Sequence, residues 1–520
     1  MALPSSTLQF RTFSDSSSLH MGTLRPMDEY ESNIWHLASI LFDDDSSTTQ
    51  SQRKLALSNF FKELVSRSVW NDLSRTRDPA ERIFLNLTGY RITDACIEAS
   101  KTKDLHLATL LALAENSPAV FRQDLHNQLE VWRKDGSVTD IQLWYRGIYE
   151  LLAGELDVKG TAIHHLSIGK KIDWRRALAM RLWFSIPVDG EIKQAVQEYW
   201  MACQQDASTA KPTPWYGGTR TEIYDGLFQL LRLYAGAGVN FTLDDALNSY
   251  CFSDAAMDVR IPWHLYLVLS QLKQKAQFAD TYGSKDGMIS DSGERLTLLY
   301  VSQLEHLNLW QWAIYVALHL RRSHTRKGVI MDILARHIAT IPSQLEEQGI
   351  ISQFVDQWKL PMEWILEAKA LHARSQGDHF LCARNLVLAK SLVEAQKTIL
   401  QHIAPQAVIS TQLSDLEELL TMFTSPTPPG WDIGGQIYLD YISLVHNHGT
   451  TERRRRGSGS RRDAVVRLLR GLPGMEARTF EQQVAQSEMA RVVANIVVST
   501  TEMVSILRNI ADIRARKLAL

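Results

Sequence analysis

The sequence predicts an all-α protein, an irregular stack of helices, and three observations carry that reading. Apolar residues recur three and four apart along most of the chain, the spacing that gathers side chains on one face of a helix. Helix punctuation falls between these runs, as cap residues followed by proline or as a glycine where a helix would end. Long period-2 alternation and Asn-Gly hairpin turns are missing. The clearest unit is Glu363 to Pro405. Ile365, Ala368, Lys369 and His372 fall one or two turns apart, beside a stripe of Leu366, Ala370 and Ala373 where backbones can approach. Gly377-Asp378 supplies a left-handed C-terminal glycine and a following N-cap, and helical spacing resumes from Leu381 through Leu386, Leu388 and Ala389. Such an α-hairpin buries too little on its own and must stack on neighbours.

The other elements follow in chain order. Residues 1–27, rich in Ser, Thr and Pro, read as an extended arm. Helix signals begin at Asp28, with Ile34, Leu37, Ala38 and Leu41 on one face and Asp43 to Asp45 as the end. Leu57, Phe61, Leu64 and Val65 repeat the spacing. Asp78-Pro79 and Ser117-Pro118 are cap-then-proline starts, since proline in the first turn loses no needed N–H. Phe121, Leu125, Leu129 and Trp132 form the next face, stopped by Gly136, and a helix is expected from about Asp140 to Ala153. Thr161 to Lys171 reads as irregular. Asp173 starts a helix with Trp174, Ala177, Leu178 and Leu182 that Pro187 stops. Ile192, Ala195, Val196, Tyr199 and Cys203 make a further stripe, and Asp206 to Gly218 is a loop.

Thr242-Leu-Asp-Asp resembles a capping box, Pro262 opens an apolar helix, and Phe278 to Gly293 reads as a loop. Leu296, Leu299, Tyr300, Leu304 and Leu307 form one helix; Trp310, Ile314, Ala317 and Leu318 begin the next. Ser425 to Gly430 (SPTPPG) is the strongest breaker and suggests a module boundary. Asn447 to Arg462 reads as a polar, disordered Arg-rich loop, and Phe480 to about Lys517 as a last long helix. Spacing between like positions is not constant, so the chain is no regular repeat array.

Composition narrows the function. Hydrophobic residues make up 45% and charged residues 22%, which suits a folded chain. With 56 Lys+Arg against 58 Asp+Glu the net charge is −2, so no global field draws the protein to nucleic acid or an anionic membrane. Cys96, Cys203, Cys251 and Cys382 lie far apart in apolar helical settings and read as reduced core thiols, fitting the cytosol or nucleus. No apolar run approaches a membrane span, and Met1 to Phe10 lacks a signal-peptide layout, so an integral or secreted protein is not expected.

No catalytic constellation emerges: no GxxxxGK[ST], GxGxxG after a strand, HExxH, GxSxG or CxxC. No catalytic, cofactor-binding or metal-binding residue and no small-molecule substrate is therefore expected. His379 with Cys382 lacks further ligands; His164-His165 reads as a loop pair, and Asp43, Asp44 and Asp45 as a solvated helix end. Arg453, Arg454, Arg455, Arg456, Arg461 and Arg462 form a basic patch with no interleaved aromatics, read first as a solvated loop and second as an import signal or polyanion contact. Trp35, Trp132, Trp174, Trp310 and Trp364 read as core, whereas Trp215 and Trp431 sit in loops and are candidates to anchor a partner.

Several phrases resemble a known family. ESNIWHLASILFDD (31–44), RRALAMRLWF (175–184), the long run from Leu227 to Leu269, LEHLNLWQWAIYVALHL (304–320), EWILEAKALHA (363–373) and ILQHIAPQAVI (399–409) are similar to the helical scaffold nucleoporin of the Y-shaped nuclear-pore coat, the C-terminal product of a self-cleaving Phe-Gly precursor. After Pro426 the similarity thins. The resemblance implies a folded-back, U-shaped α-solenoid of the ancestral coatomer type, shared with a COPII cage subunit. Carried onto this chain it implies an outgoing trunk at 28–120, a crown at 121–280, a returning trunk at 281–424 and a tail at 425–520. It further implies a structural subunit of the nuclear pore complex, in the nuclear envelope of the nucleus, serving mRNA and protein transport and not an enzyme. Its partners would be other nucleoporins: a crown-to-crown partner, hub subunits reached through the tail, and a seven-bladed propeller completed by an N-terminal blade. Residues 1–27 hold too little strand alternation for that blade, so the propeller contact is expected only of a longer chain, and the arm reads as the link that would follow it. Crown faces at Ile192, Val196 and Tyr199 and at Leu227, Leu231 and Tyr234 are candidate partner surfaces, equally explained as intramolecular core. The rival functions are a COPII-like vesicle-coat subunit, which would mark secretory puncta, and a helical-repeat adaptor for short peptides, which would show a groove with polar clamps.

Overall fold

The computed structural model describes residues 26–43, 49–114, 119–156, 161–169, 172–187, 190–205, 209–217, 222–236, 241, 243–270, 291–338, 344–423, 427–449, 458–475 and 477–499. Among these, every regular element is a helix and none is a strand. The chain divides after His306 into two compact units. The arm expected over 1–27 lies outside the described residues, except that Pro26 and Met27 already begin the first helix. Ser117-Pro118 and Thr242 also lie outside them.

Unit 1 opens with α1 (Pro26–Phe42), whose inner face is the Ile34, Leu37, Ala38 and Leu41 stripe. In α2 (Gln50–Arg75) a capping box closes the start: Gln52 N–H donates to the Thr49 hydroxyl, and Thr49 N–H to the Gln52 side chain at 2.9 Å. Asp78 accepts from Ala80 N–H and Pro79 fills the first turn of α3 (Pro79–Thr88), the expected cap-then-proline start. The turns to α4 (Ile92–Lys101) and α5 (Leu105–Ala114) are closed by Tyr90 and Lys103 in left-handed conformation, φ 55° and 61°. Then come α6 (Ala119–Lys134), which Gly136 follows at φ 77°, and α7 (Leu143–Leu152).

The stretch expected to be irregular, Thr161 to Lys171, is instead mostly α8 (Ala162–Gly169), so His164 and His165 stand on a helix. The reason is tertiary: the buried Glu150 carboxylate of α7 accepts from Ile163 N–H at 2.9 Å, supplying an N-terminal partner that local sequence does not advertise.

The chain then turns back. Asp173 caps α9 (Trp174–Met180), which runs into a π turn at Arg181–Ser185; α10 (Ile192–Gln205), α11 (Gly226–Ala235), the short α12 (Leu243–Ala246), α13 (Arg260–Leu269) and α14 (Asp291–His306) complete the unit. Of the loop expected over Phe278 to Gly293, residues 278–290 lie outside the described residues, and α14 already begins at Asp291. α7 packs on α3, α9 on α2 and α3, and α11 on α1, so the first helices are met again in reverse order. This return is made by residues 143–235, which the resemblance assigns to the crown.

Polar ties lock the return. Buried Arg176 reaches Asp72 on α2 and the Thr88 hydroxyl on α3, each at 2.5 Å. Trp183 Nε1 donates to Ser58 at 2.9 Å, and Arg260 forks onto Glu31 at 2.8 and 2.6 Å. The Tyr30 hydroxyl donates to the Asp225 carboxylate at 2.9 Å and accepts from Gly226 N–H at 3.0 Å. Asp225 is wholly buried, and burial pushes its carboxyl up to about 6 although Arg175, Leu227 N–H and Tyr30 all favour the charged form. Gly226 is required here, because a Cβ would lie 2.6 Å from the Phe252 ring.

Unit 2 contains α15 (Trp310–Ala317), α16 (Ser323–His337), α17 (Gln344–Ser352, extended by a π turn to Gln357), α18 (Met362–Ser375), α19 (His379–Leu388), α20 (Leu392–Thr398), a π turn at Ile399–Ile403, α21 (Ala404–Ser410), α22 (Ser414–Thr421), α23 (Gly435–Gly449), α24 (Ser458–Gly471) and α25 (Phe480–Ser499). The predicted hairpin is α18 and α19: Ile365, Ala368, Ala370 and Ala373 are buried, Gly377 turns at φ 78° and Asp378 accepts from Leu381 N–H at 2.9 Å. The expected Arg-rich loop over 447–462 is shorter. α23 continues to Gly449 and α24 starts at Ser458, because Val465, Leu468 and Leu472 are buried with Ile437 and Tyr441, and Arg467 forks onto Asp440 at 2.7 and 2.8 Å. Residues on both sides of Ser425 to Gly430 share that core, and Trp431 is buried with its ring 4.7 Å from that of Phe423. The end of the expected last helix, after Ser499, lies outside the described residues.

Candidate protein interface

α5 is LHLATLLALA, apolar except for His106 and Thr109, which are both exposed. A helix of that kind buries one face against its own unit and leaves the opposite face for another surface. Leu107, Leu111 and Ala114 point into the core, while Leu105 is 70% exposed and Leu113 54%. Leu105, Thr109, Ala112 and Leu113 are spaced four, seven and eight residues along the helix and form one outer stripe. The face is fixed at its start: Asp104 N–H donates to Ala99, Lys103 N–H to Ser100, and Asp104 caps by accepting from Leu107 N–H at 2.9 Å. Val120 (67% exposed) and Val131 on α6 and Ile97 on α4 add exposed apolar surface on the neighbouring helices in sequence. No hydrophobic period marks this stripe, so sequence spacing does not single it out.

α6, α7 and α8 are held together by a charge cluster. Arg146 Nε donates to the fully buried Glu150 at 3.0 Å; Arg133 forks onto Glu155, and His126 Nδ1 lies 2.7 Å from the same carboxylate. The Glu155 hydrogen bond holds the Arg133 guanidinium above its ordinary range. Every carboxylate here is matched by a cation, the condition under which buried charge holds elements in register. The cluster ties these helices to one another.

The sequence-predicted partner residues sit elsewhere. Ile192, Val196 and Tyr199 on α10 and Leu227 and Leu231 on α11 are all buried within unit 1, where α10 packs on α11 and α11 on α1. The Tyr199 ring meets Phe228 at 5.4 Å, and burial pushes its hydroxyl pKa far up. Tyr234 is half-buried, 6.0 Å from Phe42. Ile192, Val196, Tyr199, Leu227 and Leu231 thus lie in the chain's own core, and Tyr234 keeps a partly open ring.

Neither loop tryptophan is an open anchor: Trp215 donates to the Phe252 carbonyl at 2.9 Å and packs on Tyr30, and Trp431 is in the unit 2 core. Arg453 to Arg456 lie outside the described residues, as do the side chains of Arg461 and Arg462, whose backbone begins α24. His379 stacks on His402 at 4.0 Å. Cys203, Cys251 and Cys382 are buried and Cys96 half-buried, and burial pushes the Cys251 thiol up to about 12. Among the described residues, no group of three His, Cys, Asp or Glu side chains is placed to hold a metal, and no helix is long and apolar enough to cross a membrane.

Comparison with known proteins completes the picture. The family model Nup96, described as Nuclear protein 96, matches residues 81–372, more than half of the chain. Nucleoporin nup189 of Schizosaccharomyces pombe is 32% identical over 448 residues, covering 81% of this chain and 24% of that protein. Nuclear pore complex protein Nup98-Nup96 of Drosophila melanogaster is 28% identical, covering 82% of this chain and 22% of its own length. Nuclear pore complex protein NUP96 of Arabidopsis thaliana is 27% identical, with 75% of this chain and 37% of that protein covered. The chain thus spans only 22% to 37% of the length of these relatives.

Proposed function

The chain belongs to the Nup96 family of nucleoporins, components of the nuclear pore complex at the nuclear envelope, and from that membership we propose that it is a structural scaffold subunit of the pore's Y-shaped outer-ring coat. It joins one helical nucleoporin to the hub of the coat and supports mRNA and protein transport by holding its partners in place. No reaction is part of this reading.

The observation that carries it is the outer stripe of α5, an apolar helix face on a well-packed unit. Leu105 and Leu113 at 70% and 54% exposure are the kind of side chains that a helical partner buries at the centre of an interface. The buried α10 and α11 stripes support the same placement, since they leave the contact to outer faces.

Co-elution with the second coat nucleoporin tests the reading. The parent chain forms a complex, and Leu105→Glu with Leu113→Glu weakens it by at least about 2 kcal/mol, roughly thirtyfold, while the melting temperature stays within a few degrees. Undiminished binding by the double variant removes α5 from the interface. Failure of the well-folded parent chain to bind any coat nucleoporin in a nuclear-envelope pull-down removes the scaffold role.

A further inference from the structure

A second surface lies on the outer face of α2 and owes nothing to the α5 stripe. Phe61, Val65, Val69 and Leu73 turn inward, so Arg67, Trp70, Asn71, Ser74 and Arg75, at positions three, four, seven and eight along from the first, share the opposite face. All five are exposed, Trp70 at 63%. The turn into α4 meets the same face. Arg91 lies over the Trp70 ring at 5.7 Å and holds Asp94 at 2.6 Å, and in that turn the Tyr90 ring carries Lys62 Nζ at 4.6 Å.

Charge here is one-sided. Among the described residues Lys62, Arg67, Arg75 and Arg77 make no ion pair. Arg75 in the last turn suits the negative end of α2, but Arg67 is mid-helix and Arg77 lies beyond the end. The carboxylates nearest in sequence are engaged: Asp72 by Arg176, Asp94 by Arg91 and Asp78 as the cap of α3, with Glu81 in that helix's first turn. Glu63, one turn before Arg67, is the remaining exposed acid of the stripe, so four cations face one carboxylate. Unlike Arg453 to Arg456, this stretch interleaves an aromatic with its arginines.

We propose that this face binds single-stranded nucleic acid, with an unstacked base on the Trp70 ring, phosphates on Arg67, Arg75 and Arg77, and the Asn71 amide donating to the strand. Arg67 and Arg75 stand eight residues apart, about 12 Å along the axis, and bracket the ring with cations on both sides. An aromatic platform on a basic track holds a strand without reading its sequence. A duplex keeps its bases stacked and leaves the indole unused. A protein partner is the poorer fit, because on α2 the indole stands among Arg67, Asn71 and Ser74 and lacks the apolar surround of an interface centre. One indole also gives no apolar face to lie in a bilayer. With a chain net charge of −2 the attraction is local, and salt screens it.

The test is fluorescence anisotropy of the full chain with a fluorescein-labelled oligouridylate of about 12 nucleotides at low salt. Binding that weakens as salt rises, falls about tenfold or more in Arg67→Glu/Arg75→Glu and about fivefold or more in Trp70→Ala, and is largely kept in Trp70→Phe supports the surface. Trp70→Ala/Arg77→Glu gives the same readout should the first pair lose its melting transition. The proposal is overturned if the parent chain does not bind, if none of these changes weakens binding, or if binding is lost when Arg453 to Arg456 are changed to Ala and not in the α2 variants. It is also overturned if a glutamate-rich peptide or phosphatidylserine vesicles bind as tightly as the oligouridylate with the same sensitivity to these variants.

Discussion

In unit 1 polar ties reach across the chain: Tyr30 to Asp225, Glu31 to Arg260, Asp72 to Arg176 and Ser58 to Trp183 each join residues more than a hundred positions apart. In unit 2 the corresponding ties, Lys327 to Glu367, Lys390 to Glu363 and Arg467 to Asp440, join helices adjacent or next but one in sequence, with Gln482 to the Leu400 carbonyl as the longer exception. The same building block is thus closed in two ways. A folded-back set of helices closes large loops before its contacts reward it, so it stands or falls together; in unit 2 α25 folds back onto α21, while α15 to α20 pack on near neighbours in sequence and open locally.

That contrast can be broken where it is strongest. Arg176→Met leaves the buried Thr88 hydroxyl and Asp72 without their cation, and should cost about 4 kcal/mol. Hydrogen exchange should show protection lost across α2, α3 and α9 together, with α18 to α20 unchanged; a loss confined to α9 would refute the joint closure.

The Asp225 lock comes next. Folded Asp225 keeps its proton up to about pH 6, whereas the unfolded carboxyl releases it near 3.8. Its contribution is therefore full below pH 3.8 and lost as pH rises through 6, about 3 kcal/mol in all. Asp225→Asn can still accept from Leu227 N–H and should flatten the urea midpoint of unit 1 between pH 4 and 6. An unchanged slope would place the titration elsewhere.

Smaller effects sharpen the comparison. Gly435→Ala puts a Cβ 2.4 Å from the Trp431 ring and should cost about 2 kcal/mol, seen as faster exchange in α22 to α24 alone. Lys103→Gly relieves a left-handed residue at φ 61° and should stabilise unit 1 by up to about 1 kcal/mol in a thermal melt.

Much of the fold was legible in local patterns. The stripes at Ile34 to Leu41 and Ile192 to Cys203, the Asp78-Pro79 start and the Gly377-Asp378 turn all rest on interactions within a few residues, and each appears as expected. Misreadings occur where the deciding partner is remote. α8 has its N–H partner on α7, and α24 is anchored through Asp440 on α23, so neither start could be read from its own window. The interface was harder still. Period marks a face as apolar without saying what covers it: Tyr199 and Leu231 are covered by their own unit, while Leu105, in a largely apolar run, is left open.

The sequence by itself determined the helical class, most helix positions and a close resemblance to one family, because caps, turns and the 3.6-residue period are short-range chemistry. Tertiary structure alone decided which apolar faces are core and which are free, and that Asp225 is buried beneath Tyr30. Those outcomes depend on pairings between residues far apart in the chain, which no local pattern encodes.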